Sequence, residues 1–187
     1  MSRPALPPGQ RVTQDFPVLH LGDVPRSDPA TWDFRAWGQV ERPLRLTWQE
    51  FLRLPRTEVV ADFHCVTGWS HLTFHWEGVL FSTLAGLARP RPDATHILVH
   101  AEGDYTTNLP LKDALEEDVL LAFKGDGHDL ESIHGAPLWL VVPKKYAYKS
   151  AKWVRGVEFA GQEVLGYWEV RGYSSTADPW KEERYSS

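Results

Sequence analysis

Proline, by its number and placement, decides most of what this chain can fold into. The 187 residues carry 14 prolines and 14 glycines, where about one proline in twenty residues is usual. Each proline fixes φ, removes a backbone donor and pushes the residue before it into extended conformations. A helical bundle is excluded, and short elements joined by extended connections are what remains. The effect is strongest at the start, where Pro4, Pro7, Pro8, Pro17, Pro25 and Pro29 lie close together. That segment is expected to cross a body as an extended arm, with residues 1–15 as its outermost part.

Between the prolines, apolar and β-branched runs of strand length recur. Trp32–Val40 reads as a first strand with Trp32, Phe34 and Ala36 on one face. Thr47-Trp-Gln-Glu50 is a capping-box pattern that opens a short helix through Phe51, Leu52 and Leu54, stopped by Pro55. Glu58–Cys65 is strand-like and runs into the polar segment Val66–Ser70. Ser82–Ala88 and Lys112–Glu117 suit short helices. Thr95–Ala101, Val119–Phe123, Pro137–Val142, Lys152–Phe159 and Tyr167–Gly172 complete the expected strands, with a turn at Gly125-Asp-Gly127. This sum is α+β, not a regular βαβ alternation. No linker or repeat divides the chain, so residues 1–187 are expected to form a single domain.

Composition narrows the function classes. Hydrophobic residues at 42% and charged residues at 24% describe a globular chain and exclude a largely disordered one. A net charge of −5 argues against a nucleic-acid-binding domain, which is usually strongly basic. The longest apolar runs, such as Pro137–Pro143, are far too short to span a membrane. One cysteine cannot form an internal disulfide. The N-terminus has neither an apolar leader region nor twin arginines, so a cytoplasmic location is expected.

That cysteine, Cys65, ends an apolar strand beside His64 and just before a Thr-Gly turn. A lone cysteine there is either a small buried hydrophobe or a thiolate serving as soft ligand or nucleophile. His64, Cys65, His71 and His75 lie close enough in sequence to raise a zinc site or a thiol hydrolase. They lack a Cys-x-x-Cys pair, and solvated loop positions account for His71 and His75. Tyr146-Ala-Tyr-Lys-Ser-Ala-Lys-Trp153 concentrates cations, hydroxyls and aromatics, with Arg155 nearby. It is either an exposed basic loop or an anion cradle built on Lys149 and Lys152. His134-Gly-Ala-Pro137 adds a tight turn.

Four motifs in order give these features a common meaning: His64-Cys-Val-Thr-Gly-Trp-Ser70, His134-Gly-Ala-Pro-Leu-Trp-Leu-Val-Val-Pro143, Tyr146–Val154 and Tyr167-Trp-Glu-Val-Arg-Gly-Tyr173. From about Phe16 to Tyr185 the chain resembles the molybdopterin-binding domain of the sulfite oxidase family, which includes the catalytic subunit of bacterial methionine sulfoxide reductase. It looks closest to small bacterial members without haem or C-terminal dimerisation domains. The resemblance implies mixed β-sheets with short helices and long loops around molybdenum held by molybdopterin, a pyranopterin dithiolene.

Residue by residue, Cys65 matches the cysteine whose thiolate binds molybdenum, and His64 stands with the cofactor-binding residues. His20, in Val18-Leu-His-Leu-Gly22, matches a pterin-contacting histidine, and His134 a further cofactor contact. Lys149, Ser150 and Lys152 match the loop on the pterin and its phosphate. Tyr173 matches an active-site tyrosine that faces the metal's oxo group. Three positions depart from the pattern. Trp139 replaces an arginine on the pterin phosphate, Val18 lies near the arginine that binds anionic substrate, and Ser174 stands where many small members carry histidine. The implied activity is two-electron oxygen-atom transfer on a small neutral S-oxide or N-oxide, with a separate electron-transfer partner, since no haem motif or flavin fingerprint occurs. The alternatives are a cofactor-poor, non-enzymatic binding protein and the zinc or thiol hydrolase.

Overall fold

A computed structural model describes residues 5–186; the first four residues of the expected arm lie outside the described residues. In chain order the elements are β1 (Arg11–Val12), β2 (Asp33–Gly38), β3 (Leu44–Thr47), α1 (Trp48–Leu52), β4 (Thr57–His64), β5 (Trp69–Leu80) and α2 (Phe81–Ala88). Then come β6 (His96–Ala101), β7 (Thr106–Pro110), α3 (Leu111–Ala114), β8 (Leu120–Gly125), β9 (His128–Asp129), β10 (Trp139–Val141) and β11 (Val154–Ala160). One sheet runs β1-β5-β8-β10, with β4 on β5 and β9 on β8; the other runs β3-β2-β11-β6-β7. Parallel pairs (β1 with β5, β2 with β11) sit among antiparallel ones, so both sheets are mixed.

The main core fills the space between the sheets, and side-chain alternation shows how. Leu121 and Phe123 of β8, with Leu138, Leu140 and Val142 on and beside β10, meet Phe34, Ile97, Val99, Val157 and Phe159 of the second sheet. Leu120, Ala122, Trp139 and Val141 point to the opposite face, where they join Phe63, Cys65, Trp69 and Trp76. Strands covered on both faces read as continuous apolar runs, which is why Pro137–Val142 carries almost no polar residue. Each large side chain buried this way contributes about 1.5–3 kcal/mol.

The local signals act as expected at several ends. The Thr47 side chain caps the Glu50 amide while the Glu50 carboxylate accepts from the Thr47 amide, so α1 starts with a full capping box. Asp126 and Gly127 both take positive φ between β8 and β9, the conformation a two-residue hairpin turn needs.

Two expectations are corrected. Tyr167–Gly172 is not a strand: Glu169–Arg171 forms a 3-10 turn, ended by Gly172 in the left-handed region. Its backbone coils so that the Glu169 side chain points inward, where it is buried. His71 and His75 are not loop residues but lie within β5, a strand of 12 residues paired with β4 and β8. In addition, β11 begins only at Val154, because Trp153 takes φ 53°.

Candidate functional site

The hairpin between β4 and β5 turns at Cys65. The Cys65 amide donates to the Trp69 carbonyl at 2.8 Å, and the Gly68 amide donates to the Cys65 carbonyl at 3.0 Å. Gly68 has φ 96°, and a Cβ there would stand 3.1 Å from the Gly9 carbonyl oxygen. The Thr67 hydroxyl donates to the Cys65 Sγ at 3.1 Å. Cys65 is buried yet lines a cavity of about 330 Å³, within the range of small-molecule sites.

The walls of this cavity are mostly aromatic and apolar. The segment around Phe16 to Leu21 covers one side, with Trp69, Trp139, Trp153, Trp168, Tyr148 and Tyr173 forming much of the rest. Phe16 packs edge-on against Phe63, Trp69 and Trp139, which ties the covering segment to the β-sheet below.

Of the sequence-derived site residues, Cys65, His20, Ser150, Lys152 and Tyr173 line the cavity together. The Lys152 ammonium donates to the carbonyls of Leu19 at 3.2 Å and Ile133 at 3.3 Å. It also lies 5.2 Å from the Trp139 ring centroid. Burial pushes its pKa down to about 8, with Cys65 opposing. Gly135 makes room for this lysine, since a Cβ there would come within 3.0 Å of the Lys152 side chain. His20 Nδ1 meets the Gly22 carbonyl at 3.1 Å; a carbonyl only accepts, so the proton sits on Nδ1 and Nε2 is left free. Ser150 accepts from the Val142 amide and its carbonyl accepts from the Trp139 indole.

Three residues sit elsewhere. Lys149 is fully buried, and its ammonium donates to Glu169 Oε1 at 2.5 Å, Asn108 Oδ1 at 2.6 Å and the Asn108 carbonyl at 3.0 Å. It does not line the cavity, so the expected phosphate contact is replaced by a buried ion pair. Burial pulls its pKa down while Glu169 opposes. His64 faces Ser70, and His134 packs near Phe16; neither lines the cavity. Burial lowers the pKa of both, with Asp62 opposing at His64 and Lys152 adding to the effect at His134. Val18, nearly half exposed, also lies off the wall although Pro17 and Leu19 line it. Ser174 is buried, and its carbonyl accepts from the Tyr148 hydroxyl at 2.5 Å.

The profile of the oxidoreductase molybdopterin binding domain matches residues 21–168. The chain belongs to this family. An uncharacterised oxidoreductase of Bacillus subtilis is 43% identical over 97% of this chain and 92% of its own length. A putative protein-methionine-sulfoxide reductase subunit of Azospira oryzae is 31% identical over 89% of the chain and 64% of its own length. The protein-methionine-sulfoxide reductase catalytic subunit of Gluconobacter oxydans is 30% identical, and the alignment spans 54% of that protein. The chain thus spans nearly the whole Bacillus relative but only about half to two thirds of the named reductases. Among solved structures, the sulfane dehydrogenase SoxCD of Paracoccus pantotrophus superposes with a TM-score of 0.69 at 24% identity, over 75% of this chain and 41% of that one. That likeness shows the shared α+β, sulfite-oxidase-type fold. The family makes the protein an oxidoreductase whose cofactor is molybdenum held by molybdopterin.

The donor set fits such a group. Among the described residues no three His, Cys, Asp or Glu side chains come together to hold a metal ion, so the zinc arrangement of His64, Cys65, His71 and His75 is not assembled. A single soft thiol on a cavity wall can bind a metal only when other ligands arrive with it, as a dithiolene does. Lys152 and the free edge of His20 supply polar contacts on the same wall. No helix among the described residues is long and apolar enough to cross a membrane. Sequence reasoning missed Tyr148, Glu169 and Asn108, whose parts depend on contacts 20 to 41 residues away.

Proposed function

We propose that this protein reduces a small neutral S-oxide or N-oxide by two-electron oxygen-atom transfer, with electrons delivered by a separate protein partner. The observation that carries this reading is the cavity lining: Lys152 is its only lysine or arginine among the described residues, and in this reading that one cation serves the pterin end. A dianion such as sulfite, desolvated without a cationic partner, loses several kcal/mol, whereas a neutral oxide loses far less. The names of the Azospira and Gluconobacter relatives are in keeping with sulfoxide chemistry.

When bound, the molybdenum cofactor supplies the redox change, between the +6 and +4 states of the metal. In this reading Cys65 holds the metal through its thiolate. Tyr173 donates a hydrogen bond to the substrate oxygen; its hydroxyl has no protein partner among the described residues and its ring is held between Tyr148 and Trp168. Lys152 and Ser150 hold the pterin end, and His20 closes it from the covering segment. The indole walls exclude water. A core shared between both sheets supports taking residues 1–187 as one unit.

Steady-state assays with artificial one-electron donors and acceptors test the proposal. Reduction of a neutral sulfoxide or N-oxide is expected. Sulfite oxidation with kcat/KM above about 10⁴ M⁻¹s⁻¹, together with no reduction of either oxide, overturns it.

A further inference from the structure

We propose that Gln10 and Arg184 are positioning residues that clamp the Cys65 turn from the two ends of the chain and thereby aim its sulfur into the cavity. This rests on reading Cys65 as the metal's thiolate ligand. Gln10 Nε2 donates to the Cys65 carbonyl at 3.0 Å. A carbonyl only accepts, so the amide orientation is fixed, and Gln10 Oε1 faces the Ser70 hydroxyl, which donates to it at 3.0 Å. Ser70 has one proton to give. His64 Nδ1, 2.7 Å from the Ser70 oxygen, is therefore the donor in that bond. The chain of donors runs His64 to Ser70 to Gln10 to the backbone of Cys65, and each direction follows from the one before.

The next carbonyl along the turn is held from the opposite terminus. Arg184 Nη1 donates to the Val66 carbonyl, while Nη2 reaches the Pro8 carbonyl at 3.4 Å. The Arg11 amide takes the Gly68 carbonyl at 3.0 Å. With the Cys65 amide on the Trp69 carbonyl and the carbonyls of Cys65, Val66 and Gly68 all engaged, the peptide planes on either side of Cys65 cannot rotate freely. Such rotation would also break the bond from the Thr67 hydroxyl to Sγ. Neither Gln10 nor Arg184 lines the cavity, and both fall outside the family match at residues 21–168.

The test uses the protein of residues 1–187 in two states. Cys65 is the only cysteine, so the rate of alkylation by iodoacetamide in cofactor-free protein reports this one sulfur. Gln10→Glu keeps the shape but removes the donor to the carbonyl, Arg184→Leu removes the guanidinium, and Arg184→Lys restores one donor. Alkylation is expected to speed up by about 10-fold in the first two variants, the effect of one lost hydrogen bond, and to return toward the wild-type rate in Arg184→Lys. In loaded protein the same two variants are expected to shift the g-values of the Mo(V) electron paramagnetic resonance signal. Folded variants with alkylation within about twofold of wild type and an unchanged Mo(V) signal overturn the clamp. If Arg184→Leu does not fold, Gln10→Asn, which keeps the amide one methylene short, decides the matter by the same two readouts. A Mo(V) signal that is indifferent to Cys65→Ser instead overturns the ligand reading, and the alkylation rates then judge the clamp alone.

Discussion

Removing Lys149 should unfold this protein more readily rather than simply empty its cofactor site. Its ammonium has no solvent exposure and serves Glu169 and two acceptors of Asn108; the Glu169 side chain is 1% exposed. In Lys149→Ala the Glu169 carboxylate keeps only the Thr107 hydroxyl at 2.9 Å, and its second oxygen has no partner even in the intact protein. Breaking a buried pair by deleting one member costs about 3–5 kcal/mol, against a total stability of about 5–15 kcal/mol. For a chain of this size each kcal/mol moves the midpoint by about 2–4 °C, so a fall in Tm of about 6–20 °C is expected. Thermal unfolding of cofactor-free protein followed by circular dichroism measures it. Two comparisons sharpen the test. Lys149→Met combined with Glu169→Leu should recover part of the loss, because no charge is left stranded. Lys152→Ala should move Tm by a few degrees at most. A Lys149→Ala midpoint within about 3 °C of wild type would refute the assignment of Lys149 to the buried pair.

Lys152→Ala is expected to lower pterin affinity by about 10- to 150-fold through loss of a charge-assisted contact, measured as pterin content after purification. Tyr173→Phe should leave molybdenum content unchanged and reduce turnover of a neutral oxide by about 10²-fold, the scale of one lost donor to a reacting oxygen; unaltered kcat removes Tyr173 from the chemistry. Asp33 is opposed by burial, yet the guanidiniums of Arg35, Arg45 and Arg155 hold its carboxyl well below the ordinary range. A depressed carboxylate stabilises the fold above its unfolded pKa, near 3.8, and that contribution is lost as pH falls through the folded value. Asp33→Asn should therefore flatten the fall of Tm below about pH 4, and an identical acid profile contradicts this.

What the sequence reveals follows how local each determinant is. The capping box at Thr47, the turn at Asp126-Gly127 and the apolar run Pro137–Val142 are set by neighbouring residues, and all three take their expected form. Cys65 was recognisable because it ends one strand and begins a Gly-containing turn within a motif. The strand holding His71 and His75 was hidden, since its outward face is polar and its pairing with β8 is long-range. Tyr167–Gly172 has the aromatic and β-branched content of a strand, but the pairing of Glu169 with Lys149 draws it into a 3-10 turn. Lys149 itself reads as a loop cation next to Lys152. Only the distant Asn108 and Glu169 send one lysine into the interior while the other faces the cavity.

The proposed coordination has Cys65 holding molybdenum with its pterin inside the aromatic cavity. Its most direct test is the metal and pterin content of protein made in a molybdenum-competent host, combined with X-ray absorption at the molybdenum edge for wild type and Cys65→Ser. Equimolar molybdenum and pterin are predicted, with one sulfur scatterer fewer in the variant, since an alkoxide is a harder donor than a thiolate. Zinc in place of molybdenum, or the same number of sulfur scatterers in both proteins, would contradict it.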